Sequence, residues 1–247
     1  MSNLSRRGLL ALTAAGVASA ALSACASDRG RAADAAAAAS APPLPMPVPA
    51  VGDPRVMYAA VVDEGYSVPA VPIEKIDPRF YRQIVADPTG EAPGTVVVDT
   101  ANHFLYFVVH SGAAIRYGVG LGRQGFEWSG RGVIESKQKW PRWFPPDEMI
   151  DRQPELEKYR ARQIPGKNEW EGGMEPGPTN PLGARALYIF QNGEDTLYRL
   201  HGSPEWASIG KSVSSGCVRL MHQDIIDLYD RVPEGAPMVV TSGLTVT

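Results

Sequence analysis

Between residues 94 and 241, apolar residues alternate with polar ones or run in short blocks, which is typical of β-strands rather than helices. Polar turns separate these segments. Asn192-Gly193 predicts a hairpin turn, because both residue types accept positive φ. We predict strands over Thr95–Asp99, Phe104–Val109, Ala114–Gly120, Arg131–Lys137, Ala184–Phe190, Thr196–Leu200 and Pro237–Thr241.

Helical spacing of apolar residues is confined to short segments. His222–Val232 carries an apolar stripe and predicts a helix, and a second helix is expected near residues 151–160. A third would begin at Pro78 with Asp77 as its N-cap, pairing Phe80 with Ile84 and Tyr81 with Val85. The predicted fold class is therefore mostly β with short helices, in one domain over residues 94–241.

A long proline-rich stretch from Trp140 to Pro181 interrupts the strand pattern. Loops of this length inside a compact domain are usually functional or disordered. We interpret this stretch as an insertion that covers the functional site as a lid.

Residues 1–25 have the features of an export signal and are excluded from the fold. Arg6 and Arg7 precede a short apolar segment, as in twin-arginine signals. The run Leu22–Cys25 resembles a lipobox, which predicts that Cys25 is lipidated and anchors the protein to a membrane. Cleavage by an ordinary signal peptidase after Ala18-Ser19-Ala20 is the alternative. The expected location is the periplasm or cell envelope.

Two further segments precede the strand-rich domain. Residues 26–50 are rich in alanine and proline and predict an extended linker, which holds a domain away from a membrane but builds no core. Residues 51–93 predict an N-terminal arm packed on the main domain.

Charge and composition exclude several classes of function. The net charge of −3 and pI near 5.8 provide no basic surface for nucleic acid. The two cysteines exclude a disulfide framework, and the four histidines lack the spacing of metal ligands. We expect no metal and no cofactor.

The residues that carry chemistry lie between Tyr198 and Leu220. Cys217 is a candidate nucleophile, and His201, at the end of a predicted strand, is a candidate base for its thiol proton. Gly216 leaves room for a carbonyl to approach, so that local N–H groups can form an oxyanion hole. No aspartate is placed to orient His201, and a backbone carbonyl could serve instead.

A buried structural cysteine is the alternative interpretation of Cys217. Two features argue against it. An exported chain carries an unpaired thiol into an oxidising compartment, where it is a liability. The neighbours of Cys217 are serine, glycine and arginine rather than core residues.

His201-Gly202, Ile209-Gly210 and the run Ser214–Leu220 together resemble the signature of the L,D-transpeptidase catalytic domain, also called the YkuD domain. The resemblance extends upstream to Asn180–Gly183 and to Thr95–Asp99, covering about 145 residues. It does not cover the signal, the linker or the arm. Many members have histidine where Ser215 stands, so no role of that histidine is carried over.

The resemblance implies a β-sandwich-like mixed sheet and an enzyme that acts on peptidoglycan stem peptides. Cys217 would attack the carbonyl at stem position three, expel the terminal D-alanine and form a thioester. His201 would shuttle the proton, oriented by the carbonyl of Gly202. N–H groups from Ser215 to Cys217 would hold the oxyanion. The product would be an L,D crosslink in the cell wall.

Other roles stay open on the sequence alone. Arg219 could bind a substrate carboxylate or fix the loop after Cys217. Trp140, Trp143 and Trp206 could line a groove or pack in the core, and His222 is expected at the start of the last helix. The same thioester chemistry also fits an L,D-carboxypeptidase or an enzyme that attaches protein to the wall. An inactive wall-binding lipoprotein is the alternative outside enzymes.

Overall fold

Blocks of β-branched and aromatic residues build a mixed β-sheet. The computed structural model describes residues 52–110, 112–122, 128–167, 169–214 and 216–244. Within these ranges the strands, in chain order, are β1 (Val61–Asp63), β2 (Tyr66–Val68), β3 (Gln83–Ala86), β4 (Val96–Asp99), β5 (Phe104–His110), β6 (Ala113–Gly118), β7 (Leu121–Gly122), β8 (Gly130–Lys139), β9 (Arg162–Gln163), β10 (Trp170–Glu171), β11 (Arg185–Gln191), β12 (Glu194–Ser203), β13 (Ser212–Ser214), β14 (Val218–Met221) and β15 (Ala236–Thr241).

The main sheet of the described residues has nine strands in the order β14-β12-β11-β8-β15-β4-β5-β6-β3. Two neighbouring pairs, β12 with β14 and β15 with β4, run parallel, and the others run antiparallel. Three two-stranded sheets (β1-β2, β10-β9 and β13-β7) complete the described strands. The prediction of a mostly-β fold with a mixed sheet is confirmed.

The central strands are buried on both faces, which explains why their sequences are continuously apolar rather than alternating. In β4, Val96 and Val98 belong to one hydrophobic cluster, and Val97 belongs to a second cluster. Neighbouring β5 divides in the same way, with Phe107 in the first cluster and Tyr106 in the second. Since successive side chains of a strand point to opposite faces, the sheet has a core on each side.

The helices of the described residues are short. The α-helices are α1 (Pro54–Met57), α2 (Asp147–Arg152) and α3 (His222–Arg231), and the 3-10 helices are Ile73–Lys75, Pro78–Phe80, Pro154–Tyr159 and Trp206–Ser208. The predicted helix at His222 is confirmed as α3, which buries Ile225 and Leu228 in the first cluster. Within the described residues, no helix has both the length and the apolar character that crossing a bilayer requires.

The predicted helix beginning at Pro78 is wrong. Asp77 does cap Arg79, its carboxylate accepting the Arg79 N–H at 3.0 Å, but the turn that follows is a 3-10 helix of three residues. The chain then becomes extended, and residues 83–86 form β3 against β6 at the sheet edge. Pairing with β6 outweighed the helical spacing of the apolar residues.

The second predicted helix, near residues 151–160, is displaced rather than absent. It divides into α2, which ends at Arg152, and the 3-10 helix Pro154–Tyr159. Pro154 explains the division, because a proline inside a helix removes a backbone donor and clashes with the preceding turn.

The predicted strands are confirmed with small shifts of their ends, and so is the hairpin turn. Asn192 and Gly193 have φ of 54° and 80°, and they join β11 to β12. The predicted export signal, Cys25 and the linker lie outside the described residues. The arm is described from Gly52 onwards, and its strand β3 belongs to the main sheet.

The stretch from Trp140 to Pro181 leaves the sheet at the end of β8 and returns at β11. The two ends of the stretch are joined by a backbone hydrogen bond, in which the N–H of Trp140 donates to the carbonyl of Ala184 at 2.8 Å. Inside, Trp143 and Met174 form an isolated bridge. The Asn180 amide donates to three carbonyls, those of Pro141, Met174 and Glu175. We call residues 141–183 the insertion.

Candidate active site

Two parallel strands bring the candidate nucleophile and base to one edge of the sheet. In the β12–β14 register, Leu200 lies opposite Val218 and His201 lies opposite Arg219. Cys217 directly precedes Val218, so it stands where β14 begins, beside the last part of β12, which contains His201 and Gly202. Residues sixteen positions apart in sequence are therefore neighbours in adjacent strands.

A cavity of about 720 Å³ opens at this edge of the sheet. His201, Gly216, Cys217 and Arg219 line it together. The insertion supplies much of the opposite side, through Trp143, Pro146, Glu148, Met149, Arg152, Gln153, Leu156, Met174, Pro181 and Leu182. Apolar walls around a few convergent polar groups are typical of ligand sites.

The ring of His201 is fixed by a backbone carbonyl. Its Nδ1 lies 2.6 Å from the carbonyl oxygen of Gly202, and the side chain is buried. Because a carbonyl oxygen only accepts hydrogen bonds, Nδ1 carries the proton and Nε2 keeps its lone pair. The orienting group of this site is thus a carbonyl rather than a carboxylate.

Burial keeps both groups neutral at pH 7. It lowers the pKa of His201 to about 4, against the opposing effect of the Gly202 and Pro181 carbonyls and with a further decrease from Arg219. Burial also raises the pKa of the Cys217 thiol above its usual 9.0, outweighing the backbone and charge of Arg199, which favour the thiolate. The resting pair is therefore a thiol and a neutral imidazole, rather than a thiolate and an imidazolium.

Two glycines of the site stand where a side chain is disfavoured, Gly216 by its backbone conformation and Gly202 by close packing. Gly216 has a φ of 135°, which side-chain-bearing residues rarely adopt. At Gly202, a Cβ would lie 3.0 Å from Nδ1 of His222 and 3.1 Å from the backbone nitrogen of Ala184. A side chain at 202 would press on His222 and on the backbone at Ala184, and these neighbours would have to shift by a few tenths of an ångström.

Arg219 lines the cavity and is paired. Its Nη1 lies 2.6 Å from a carboxylate oxygen of Glu205, whose side chain is 64% exposed. The pair closes the loop between β12 and β14 while leaving the arginine beside the cavity. Of the other predicted site residues, Ser215 and Cys25 lie outside the described residues.

The aromatic and histidine candidates have different surroundings. Trp143 lines the cavity, whereas Trp140 is buried in the first hydrophobic cluster and Trp206 packs against the second. His222 begins α3, as predicted, and is buried. Its Nδ1 accepts the N–H of Ala184 at 3.3 Å. Burial lowers its pKa to about 4.

Several residues that line the cavity or influence Cys217 could not be foreseen from the sequence. Met149 and Leu156 belong to a stretch singled out only for its length, and Arg199 influences the thiol through its backbone. Glu205 lacks any local motif. Among the described residues, no group of three or more histidine, cysteine, aspartate or glutamate side chains is arranged to hold a metal ion.

Comparison with known proteins gives a family match over most of the described chain. The model of the L,D-transpeptidase catalytic domain family, YkuD, matches residues 93–240. The matched region begins just after the arm and contains β4 to β15, both candidate catalytic residues and the insertion.

Curated relatives bear the same family name. The probable L,D-transpeptidase YbiS of Escherichia coli K12 is 32% identical over 145 residues, which are 57% of this chain and 42% of that protein. The probable L,D-transpeptidase ErfK/SrfK of the same organism is 33% identical over 143 residues, 57% of this chain and 41% of that protein. The matched part is thus less than half the length of either relative.

A solved structure with a different name is also similar in sequence. The crystal structure of a probable carnitine operon oxidoreductase from Brucella melitensis is 42% identical, with a TM-score of 0.44. The match covers 71% of this chain and 99% of that one. This TM-score is too low for the match to bear on the fold or the activity.

Proposed function

This chain belongs to the L,D-transpeptidase catalytic domain family, and we propose that it acts on peptidoglycan stem peptides as a cysteine acyltransferase. One observation carries the proposal. Cys217 lines the same cavity as His201, whose Nε2 is left as a proton acceptor by the bond from Nδ1 to Gly202. A thiol and an oriented base at one cavity are the parts that nucleophilic acyl transfer needs.

In the proposed acylation, the Cys217 sulfur attacks the carbonyl carbon of the residue at stem position three. Its proton passes to Nε2 of His201. The carbon–nitrogen bond to the terminal D-alanine then breaks, and the departing amine takes the proton from His201. A thioester is left on Cys217, and the base is neutral again.

In the second half-reaction, an amine of another stem peptide attacks the thioester, and His201 accepts a proton from that amine. The sulfur leaves and recovers its proton, while the new amide is the crosslink. During both steps, the oxyanion would be held by backbone N–H groups from Ser215 to Cys217.

In this proposal, the insertion shields the thioester from water. Transfer to an amine competes with hydrolysis, so the thioester must be shielded from water. Trp143, Met149 and Leu156 line the cavity from the insertion and supply apolar surface around the thioester. Arg219, at the same cavity, is proposed to bind a substrate carboxylate once drawn away from Glu205.

The test uses the full chain incubated with a disaccharide tetrapeptide, with products identified by mass spectrometry. We expect dimers joined through two position-three residues. They should be lost in Cys217→Ala, and reduced by roughly a thousandfold or more in His201→Ala. Cys25→Ser is the matched control, because it removes the chain's other thiol and should leave the activity unchanged.

Other products would redirect the proposal. Tripeptide without dimers would identify a carboxypeptidase that uses the same thioester. If no product forms and Cys217 also resists alkylation at a pH above its raised pKa, the proposal of an enzyme is overturned. A wall-binding protein is then the remaining interpretation.

On the basis of the predicted export signal, we also propose that the mature protein is held at the cell envelope by a lipid on Cys25. Growth with a clickable palmitate analogue should label the parent protein and leave Cys25→Ser unlabelled, with Cys217→Ser as the matched cysteine control. Labelling that persists in Cys25→Ser, or a mature N-terminus at Ala21, would refute the anchor.

A further inference from the structure

A β-hairpin of the N-terminal arm reaches the base of the insertion. Strands β1 and β2 pair antiparallel, with Asp63 opposite Tyr66. They are joined by a tight turn at Glu64 and Gly65, whose φ angles are 50° and 85°. The hairpin precedes residues 93–240, so it lies outside the part of the chain that the family model matches.

The carboxylate of Asp63 contacts both ends of the insertion at once. Its Oδ2 accepts Nε1–H of Trp140 and Nη1–H of Arg185, each at 2.7 Å. Its Oδ1 accepts Nη2–H of Arg185 at 2.8 Å. Trp140 is the last residue before the insertion, and Arg185 is the first residue of β11, which follows it.

These contacts are short, charge-assisted and largely shielded from water. The side chain of Arg185 is 3% exposed and that of Asp63 is 15% exposed. Burial opposes ionisation of Asp63, but the hydrogen bonds from Arg185 and Trp140 outweigh it, so the pKa of Asp63 stays below its usual 3.8. Two parallel N–H bonds from a guanidinium to a carboxylate also fix direction, which a single bond does not.

Trp140 needs such support because its backbone is strained. Its φ of 44° is unusual for a large aromatic residue, and such conformations persist only when the surrounding structure holds them. The ring of Tyr66 in the hairpin packs against the Trp140 ring at a centroid distance of 4.4 Å, tilted by 36°. The hairpin therefore contacts Trp140 twice, through Tyr66 at the ring and through Asp63 at the indole N–H.

The same contacts lead towards the candidate base. The Trp140 ring stacks on His222 at 6.2 Å, and His222 accepts the N–H of Ala184. His222 also packs directly behind Gly202, whose carbonyl orients His201. Displacement of Trp140 would thus change the positions of both the insertion and β12, the strand that carries His201.

We propose that Asp63 is a positioning residue that clamps the two ends of the insertion and thereby holds the cavity wall over Cys217. The arm is then part of the site, although none of its described residues lines the cavity. Its effect on the reaction rests on the proposed function, whereas its effect on the insertion does not.

The first test is hydrogen–deuterium exchange of the full chain, followed by mass spectrometry. In Asp63→Asn, which keeps the size but loses the charge, peptides from residues 141–183 should exchange roughly tenfold faster. Peptides from β4 and β5 should be unchanged. Trp140→Phe, which keeps the stacked ring but loses the N–H, should give a smaller increase of about threefold in the same peptides.

Glu64→Gln is the matched control. Glu64 lies next to Asp63 in the hairpin turn, and it pairs with Lys139 at 2.6 Å, but its side chain is 50% exposed. Surface pairs of this kind contribute little. Exchange in the insertion should therefore stay at the parent level.

A second readout separates positioning from general stability. With the tetrapeptide substrate, Asp63→Asn should shift products from crosslinked dimer towards hydrolysed tripeptide, by roughly fivefold, because water gains access to the thioester. Glu64→Gln should keep the parent ratio.

Each outcome decides the proposal. Unchanged exchange in residues 141–183 for both Asp63→Asn and Trp140→Phe overturns it, as does an equal increase throughout the sheet. Faster exchange confined to the insertion supports the clamp even when no variant, nor the parent, forms product. Faster exchange in the insertion without any product would refute the proposed function and leave the clamp supported.

Discussion

The raised pKa of Cys217 makes a quantitative prediction about its reactivity. With a pKa above 9.0, fewer than about one thiol in a hundred is ionised at pH 7. The thiolate is thus the minor form at that pH, because burial of the sulfur disfavours its charge. Since only the thiolate is alkylated, Cys217 should react slowly at neutral pH.

The assay follows alkylation of Cys217 by iodoacetamide as a function of pH. In the Cys25→Ser chain Cys217 is the sole thiol, so mass spectrometry of the intact protein reports its modification directly. The logarithm of the rate constant should rise with a slope near one between about pH 6 and pH 9. His201→Asn should follow nearly the same line, because a neutral imidazole does not stabilise a thiolate.

A different profile would refute this argument. A thiolate–imidazolium pair would give a plateau from about pH 5 to pH 8, and His201→Asn would abolish it by restoring an ordinary thiol pKa. That result would place the proton on His201 in the resting enzyme. The pKa of about 4 for His201 would then be wrong.

Two further predictions concern pH and charge. The pKa of His222 is about 4 in the folded protein and 6.5 in the unfolded chain. Between these two values the unfolded chain binds a proton that the folded protein does not, so the free energy of unfolding decreases as the pH falls from about 6.5 to about 4. Urea unfolding at about pH 7.5 and pH 4.5 should therefore show the parent losing roughly 2 kcal/mol more than His222→Gln, and equal losses would contradict the burial argument. Glu205→Gln should change the free energy of unfolding by less than about 1 kcal/mol, because Glu205 is mostly exposed; a larger loss in the same urea titration would show that its pair with Arg219 is structural.

The sheet could be predicted because its signals are local and strong. The continuous apolar run of β4 and β5 reflects burial on both faces, and the Asn192-Gly193 turn reflects a φ requirement that few residues meet. The helix predicted at Pro78 failed for the opposite reason. Its cap formed, but the residues after Tyr81 found a better partner in β6, which sequence spacing does not reveal.

In the candidate site too, the residues of a local motif could be predicted, whereas contacts that depend on the fold could not. Cys217, His201 and the Gly202 carbonyl follow from a motif confined to a short stretch of chain. The structure brings Cys217 and His201 to one cavity and bonds the Gly202 carbonyl to His201. The pairing of Arg219 with Glu205 depends on the shape of a loop. The contact between Asp63 and Arg185 joins residues 122 positions apart, and no sequence pattern encodes it.

The position of β3 has a consequence for where this chain can be shortened. Family membership is recognised from residue 93, yet β3 lies before that point and forms the last strand of the sheet beside β6. A protein cut to residues 93–240 would expose the backbone N–H and C=O groups of residues 113–116 that now face β3 as an open edge, which invites association between copies. The unit whose sheet edge is covered is therefore longer than the unit that homology recognises.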